Sequence, residues 1–316
     1  MNFRQALSDW ERVSPKYSHS MRYIFIAKLN GGIGDYICLT AFINHMKKTG
    51  FPGKLVIITD KVDIYENNPD VNYIFHIKKN IIKRVVRFLM PLLRLFGINI
   101  QNYETFGGGH NPLESLSNNR YKKHYMLLMG EHFWKSYPLE VKCKIKLTKK
   151  EESLFRHKYK NKEYYVIFAS AKTSHTKNKS VDTEILQKVI NATLNREWLL
   201  LGTKADFLLD NVTDLRGFTK GIREVYYLIS KAKLVLSTEG VANHIASISS
   251  TPSIVIYTGY SSKSHFSYQF SYSIVSEELP SCAPCYKSEL CSVNYLCKSD
   301  NYVDQILNTM SKINDS

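Results

Sequence analysis

Apolar and polar positions alternate along this chain in a way that switches repeatedly between a strand-like and a helix-like period. Residues 22–27 (RYIFIA) form a short β-branched and aromatic run that predicts a strand, followed by a loop carrying Gly31, Gly32 and Gly34. From residue 35 to 48, Ile37, Ala41, Ile43 and Met46 recur at near-helical spacing, with Lys47 and Lys48 in the last turn. Residues 54–59 (KLVIIT) predict a second strand, so the chain opens as a β-α-β unit with parallel pairing. The same alternation restarts later. Residues 164–169, 197–201, 233–237 and 253–257 predict strands, and helical patterns at 183–194, 222–231 and 241–249 separate them. Between the two blocks lies a stretch dominated by charge, residues 149–163 (KKEESLFRHKYKNKE), the best candidate for a domain junction. The expected fold class is α/β, with two doubly wound, Rossmann-like parallel-sheet domains over residues 1–155 and 156–316. Ligands are expected at the carboxyl ends of the strands and in a cleft between the domains.

One segment breaks the alternation. Between residues 78 and 98, Ile81, Ile82, Val85, Val86 and Leu89 recur on one face while Lys83, Arg84 and Arg87 take the other, and Pro91 interrupts the pattern. No acidic residue occurs from 71 to 103. Such a basic amphipathic helix or hairpin packs on the core as a surface helix or rests on anionic lipid.

Composition narrows the function. A chain of 316 residues has room for two cores and is no peptide hormone, disulfide scaffold or lone binding module. With 44% hydrophobic and 22% charged residues it is neither disordered nor collagen-like. Lys plus Arg number 43 against 28 Asp plus Glu, a formal charge of +15, which attracts phosphate sugars, nucleotides, nucleic acid or an anionic membrane surface. Nucleic acid is not the expected partner, because the basic residues are spread through enzyme-like α/β units with no recognisable binding module. There is no run of eighteen apolar residues, and residues 1–20 lack the apolar stretch of a signal peptide, so a cytoplasmic location is expected.

Three constellations could carry chemistry. In residues 29–35 (LNGGIGD), glycines including Gly32 and Gly34 let the backbone approach a ligand where a strand hands over to a helix. The spacing is neither the dinucleotide fingerprint nor a P-loop. Asp35 there is an N-cap or a general base. In residues 234–260 a strand ends at Ser237 and turns through Thr238, Glu239 and Gly240 into a helix that carries Asn243 and His244 in its first turns, as a ligand site or as a capped helix with a satisfied histidine. Cys282, Cys285, Cys291 and Cys297 fall within sixteen positions, where four thiolates could converge on one tetrahedral ion; two disulfides or free thiols are the alternatives. Gly108 and His110, in a glycine-rich stretch at 103–112, form an acceptor loop or a turn.

In the order of these segments the sequence resembles the ADP-heptose:lipopolysaccharide heptosyltransferases, glycosyltransferase family 9 with the GT-B fold. Gly34-Asp35 stands where that family has its Gly-Asp turn between strand and helix. Residues 234–257 resemble its C-domain signature of strand, acidic residue, Gly, His-x-Ala and a second strand, and residues 214–229 its approach to that strand. Departures are visible: Glu239-Gly240-Val241 stands where the family has Asp-Thr-Gly, Lys179-Ser180-Val181-Asp182 only echoes Lys-x-Trp-Pro, and Lys204 replaces an acidic residue that holds the ribose, with Asp206 near. The resemblance implies inverting transfer of a sugar from a nucleotide-sugar donor, ADP-heptose, to a lipid-linked glycan such as a lipopolysaccharide core or, as in autotransporter glycosylation, to a protein acceptor. Asp35 would be the base. Lys172, Thr173, Ser174, Lys177 and Lys179 would hold the diphosphate together with the helix start at Gly240, unless they form only a solvated basic loop. Glu239 and His244 would contact the sugar or nucleotide. No cofactor is needed for transfer; the cysteine cluster resembles one that holds a structural zinc or iron. The basic segment would keep the enzyme peripheral on the membrane, and a non-catalytic scaffold is the remaining alternative.

Overall fold

The computed structural model describes residues 23–29, 31–48, 53–78, 100–102, 124, 126, 142–160, 162–169, 176–285 and 301–314. The chain divides into two compact units, one formed by residues 1–112 and 125–146, the other by residues 113–124 and 147–316. Each has its own parallel sheet.

In the first unit the elements are β1 (Tyr23–Lys28), α1 (Ile33–Lys48), β2 (Lys54–Thr59), α2 (Val62–Tyr65), β3 (Tyr73–His76) and β4 (Ile100–Asn102). The sheet order is β3-β2-β1-β4, with every pairing parallel. Ile26 and Ala27 of β1 and Leu55 and Ile57 of β2 are fully buried. Parallel strands covered on both faces read as continuous apolar runs, which is why both were visible in the sequence. Helix α1 begins two residues earlier than its apolar spacing predicts and buries Tyr36, Ile37, Leu39, Phe42 and Ile43. Burying each such side chain contributes on the order of 2 kcal/mol. The edge strand β3 leaves Tyr73 and Phe75 exposed, and no strand was expected there.

The second unit contains α3 (Lys149–Tyr159), β5 (Tyr165–Phe168), α4 (Thr176–Lys179), α5 (Thr183–Asn191), β6 (Trp198–Leu201), β7 (Thr213–Asp214), α6 (Ile222–Lys231), β8 (Val235–Thr238), α7 (Val241–Ser249), β9 (Ser253–Tyr257), α8 (Lys263–Phe266), β10 (Ser271–Val275) and α9 (Tyr302–Asn314). The charged stretch offered as a junction is mostly helix α3. Its start is a capping box: Thr148 accepts from the Glu151 N–H while the Glu151 carboxylate accepts from the Thr148 N–H. The sheet order is β10-β9-β8-β5-β6-β7, all parallel. Numbered from β5, this is the doubly wound order in which the chain first moves one way from the central strand and then returns to the other side of it. The switch point lies between β5 and β8, where ligands of this architecture bind at the strand carboxyl ends. Ile167, Leu200, Leu236 and Ile254 fill the sheet interior, and Tyr302, Ile306 and Met310 of α9 close over it beside Leu186 and Val189 of α5.

Candidate active site

In the first unit, β1 ends at Lys28 and the chain turns through Gly31 into α1. Gly31 has φ +108°, a conformation that strains any residue with a Cβ. A Cβ there would also lie 2.5 Å from Asp35 Oδ2 and 3.0 Å from Lys28 Nζ. The turn is therefore closed around two charged side chains. The Gly32 N–H donates to Asp35 Oδ2 at 2.9 Å, and the Asp35 N–H donates back to the Gly32 carbonyl at 3.0 Å. Asp35 is the third residue of α1, not its N-cap, and its carboxylate reaches back over the glycine turn.

Lys28 is the functional candidate that sequence reasoning missed. It is 4% exposed, and a buried ammonium needs a compensating anion. The Asp35 carboxylate borders the same small space beside Gly31, and the ammonium stands 5.3 Å from the Tyr36 ring centroid. Tyr36 in turn donates its hydroxyl to Asp60 Oδ1 at 2.7 Å, at the carboxyl end of β2. A lysine closing an otherwise apolar parallel strand just before a glycine turn was the available signal.

In the second unit, the segment after β5 leads into α4, and the segment after β8 leads into α7, so the switch point brings Lys179 to Glu239. Lys179 Nζ lies 3.0 Å from Glu239 Oε2, and the Ser261 hydroxyl donates to the same oxygen at 3.1 Å. The ammonium also sits 4.9 Å from the Tyr260 ring centroid. Glu239 is 4% exposed while the Lys179 side chain is 20% exposed, so the carboxylate is sequestered and the ammonium still reaches solvent. Thr238, the last residue of β8, is buried. Gly240 caps α7, and a Cβ placed on it would meet nothing within 4 Å, so there is open space beside the helix start.

One turn into α7, the Asn243 side-chain amide donates to the Phe266 carbonyl at 2.6 Å. His244 Nδ1 lies 2.6 Å from the Tyr268 hydroxyl, with Phe266 and Tyr268 edge-on to the imidazole. His124 packs edge-on against the far partner of this pair, its ring centroid 5.0 Å from that of Tyr268. Burial, and then the neighbouring His244 and His265, hold His124 down at about 3.

At the carboxyl end of β6 the carboxylates serve the local fold. Asp206 accepts from the Thr203 N–H and hydroxyl, closing its own turn. Arg216 forks Asp214, holding that carboxyl well below the usual range. Lys204 lies over the Phe218 ring, 4.1 Å from its centroid, and 3.4 Å from Asp214.

Several expected site residues fall elsewhere. Lys172, Thr173, Ser174, Gly108, His110, Cys291 and Cys297 lie outside the described residues, as does the basic segment beyond Lys78, and Lys177 is described only as part of α4. Cys282 is exposed and Cys285 half-buried, both free thiols, with the Cys285 N–H bonded to the Gly259 carbonyl. Among the described residues no group of three or more His, Cys, Asp or Glu is placed to hold a metal ion.

By sequence, no family model and no curated protein matches the chain. Among solved structures it is similar to the family 9 glycosyl transferase of Veillonella parvula, at 11% identity and a TM-score of 0.66 over 94% of this chain and 98% of that one. It is similar to the E. coli ADP-heptose LPS heptosyltransferase II, at 12% identity and a TM-score of 0.63 over 94% and 100%. It is also similar to an iron-containing dodecameric glycosyltransferase of enterotoxigenic E. coli, at 10% identity and a TM-score of 0.63 over 92% and 77%, an enzyme also solved in complex with ADP-D-β-D-heptose. With its two parallel-sheet α/β units, this chain has the GT-B fold of the family 9 glycosyltransferases and heptosyltransferases.

Proposed function

We propose that the chain is an inverting glycosyltransferase that moves a heptose or similar sugar from a nucleotide sugar, with ADP-heptose as the donor, to a lipopolysaccharide core or related glycan. The observation that carries this reading is the convergence of Lys179, Glu239 and the open helix start at Gly240 on the switch point between β5 and β8. In the transfer, the acceptor hydroxyl attacks the anomeric carbon and loses its proton to Asp35. The bond from that carbon to the diphosphate oxygen breaks, and the leaving diphosphate carries the electron pair away. Lys172, Thr173, Ser174, Lys177 and Lys179, with the N–H groups at Gly240, neutralise that charge as it develops. Gly32 and Gly34 allow close backbone approach to the donor, Thr238, Glu239 and His244 hold its sugar or nucleotide, and Gly108 and His110 stand on the acceptor side.

Charge in this scheme comes from lysines and helix N–H groups, so transfer needs no cofactor. Cys282, Cys285, Cys291 and Cys297 are proposed to hold a structural zinc or iron. Cys282 and Cys285, both free thiols, would supply half of that tetrahedral set, and no step of the reaction runs through the metal. The same cysteines favour a second reading in which the acceptor is a protein hydroxyl, because their segment resembles the iron-binding cysteine motif of autotransporter heptosyltransferases. Glycosylated Ser or Thr peptides after co-expression with candidate acceptors would separate the two. No helix among the described residues is long and apolar enough to cross a membrane. We place the enzyme in the cytoplasm, peripheral on the inner leaflet.

The test is a donor screen on wild type and Asp35→Ala, by thermal shift and by transfer. ADP-heptose is expected to stabilise both proteins more than UDP- or GDP-sugars, with transfer by Asp35→Ala reduced at least a hundredfold. Stabilisation by a UDP- or GDP-sugar instead would replace the donor, and transfer surviving in Asp35→Ala would remove the base.

A further inference from the structure

Strand β9 lies beside β8 in the sheet, so the segment that leaves β9 runs next to the turn that carries Glu239. Thr258 of that segment donates its hydroxyl to the Asn178 carbonyl at 2.6 Å, fixing the backbone one residue before Lys179. The Gly259 carbonyl accepts from the Cys285 N–H at 3.1 Å, which anchors the segment itself. The Lys179 ammonium stands over the Tyr260 ring, 4.9 Å from its centroid, and Ser261 donates its hydroxyl to Glu239 Oε2 at 3.1 Å. Thr258, Tyr260 and Ser261 are all buried. One short stretch therefore touches the backbone beside Lys179, its ammonium and the carboxylate it pairs with.

A lysine that serves an anionic ligand must have its long side chain in place and its charge still available. An ion pair alone meets the first need and works against the second. Lys179 Nζ lies 3.0 Å from Oε2 and 3.4 Å from Oε1 of Glu239, a carboxylate that cancels the charge it holds. An aromatic face attracts a cation through its quadrupole and brings no net charge. Burial, above all, raises the Tyr260 phenol above its usual 10, so the ring stays neutral at pH 7. The Ser261 hydroxyl gives the buried carboxylate a hydrogen bond that does not depend on the lysine, which reduces what the ion pair must supply. With its side chain 20% exposed, Lys179 is held and still reaches solvent. We propose that Tyr260 is a positioning residue for Lys179: its ring face holds the ammonium beside Glu239 without neutralising it, so that the charge can meet an anionic oxygen of the ligand. The assignment of that oxygen to a nucleotide diphosphate rests on the glycosyltransferase reading; the hold of the ring on the ammonium does not.

Proton–carbon correlation spectra of the lysine-labelled full chain test that hold directly, with Lys179 identified by the signal lost in Lys179→Arg. In wild type the methylene protons next to its ammonium are expected upfield of those of exposed lysines, shifted by the ring. Tyr260→Leu is expected to return them to the exposed position, and Tyr260→Phe, which keeps the ring face, to restore the shift. A wild-type Lys179 signal among the exposed lysines, or a Tyr260→Leu spectrum identical to wild type, overturns the proposal. The wild-type spectrum decides even if the leucine variant does not fold. In calorimetric titrations with ADP, Tyr260→Leu is expected to weaken binding about fivefold, as loss of a cation–ring contact does, and Tyr260→Phe to restore it. In a Lys179→Met background Tyr260→Leu is expected to cause no further loss, because the ring acts only through the ammonium. Unchanged affinity in Tyr260→Leu, or the same loss in the Lys179→Met background, would overturn the link to the ligand. If wild type takes up no ADP, the nucleotide reading fails while the spectrum still decides the role of Tyr260.

Discussion

At the scale of single residues, the chemistry of the first unit is concentrated in a glycine turn whose shape and charge depend on each other. Gly31 holds a φ that only glycine adopts without strain, and its missing side chain is the space taken by the Asp35 carboxylate and the Lys28 ammonium. Gly31→Ala meets both penalties, so it is expected to lower the unfolding free energy by about 1–3 kcal/mol, measured by urea titration. It is also expected to displace Asp35, so that transfer falls further than the loss of folded protein explains. Activity that tracks the folded fraction alone would show that the turn is only a scaffold. Asp35 and Gly31 were legible as a motif in one stretch of sequence. Lys28 was not, because it lies in an apolar run and only the packing of α1 against β1 makes it buried.

At the scale of elements, the second unit is braced by side chains from distant segments. Arg223 of α6 donates through Nε to Glu151 of α3 at 2.6 Å, and Lys158 and Tyr159 of α3 reach Glu224 at 2.8 and 2.9 Å. The hydrogen bond from Arg223 is the main reason the Glu151 carboxyl falls from its usual 4.5 to about 2. Below 4.5 the unfolded chain binds a proton that the folded one refuses, so stability falls with falling pH. The contribution of this pair is whole above 4.5 and drains away between 4.5 and about 2. Arg223→Met is therefore expected to destabilise the fold at neutral pH and to flatten the pH dependence within that window, read from denaturation midpoints. An unchanged slope there would mean the pair does not carry the effect. His124, pushed down to about 3 by burial, starts its own loss nearer pH 6.5, so the two separate by where they begin.

The same scale shows which patterns carry information. Strands β2 and β9 and helices α6 and α7 have the ends that apolar periodicity predicts, because the two strands are covered on both faces and each helix buries one side. Strands β3 and β10 sit at sheet edges, where exposed Tyr73, Phe75 and Tyr272 break the inside-outside pattern. Helix α3 buries little besides Phe155, and its surviving local signal was the Thr148–Glu151 capping box.

At the scale of the whole molecule, the +15 charge and the basic segment at 78–98 make a prediction independent of the active site. Binding to vesicles containing anionic lipid is expected at low salt, and its loss between about 0.05 and 0.5 M salt, since each Lys or Arg near such a surface contributes roughly 1 kcal/mol and is screened over about 10 Å. Equal co-flotation with neutral vesicles would reject it. By itself the sequence determined the alternation of strands and helices, the glycine turns and the acidic and histidine positions that follow them, because those depend on local periodicity and backbone freedom. Only the tertiary structure decided the strand order, and with it the switch point that joins Lys179 to Glu239 across sixty residues and Tyr268 to His244. Pairing between distant strands is governed by packing of the whole core, which no short window of sequence contains.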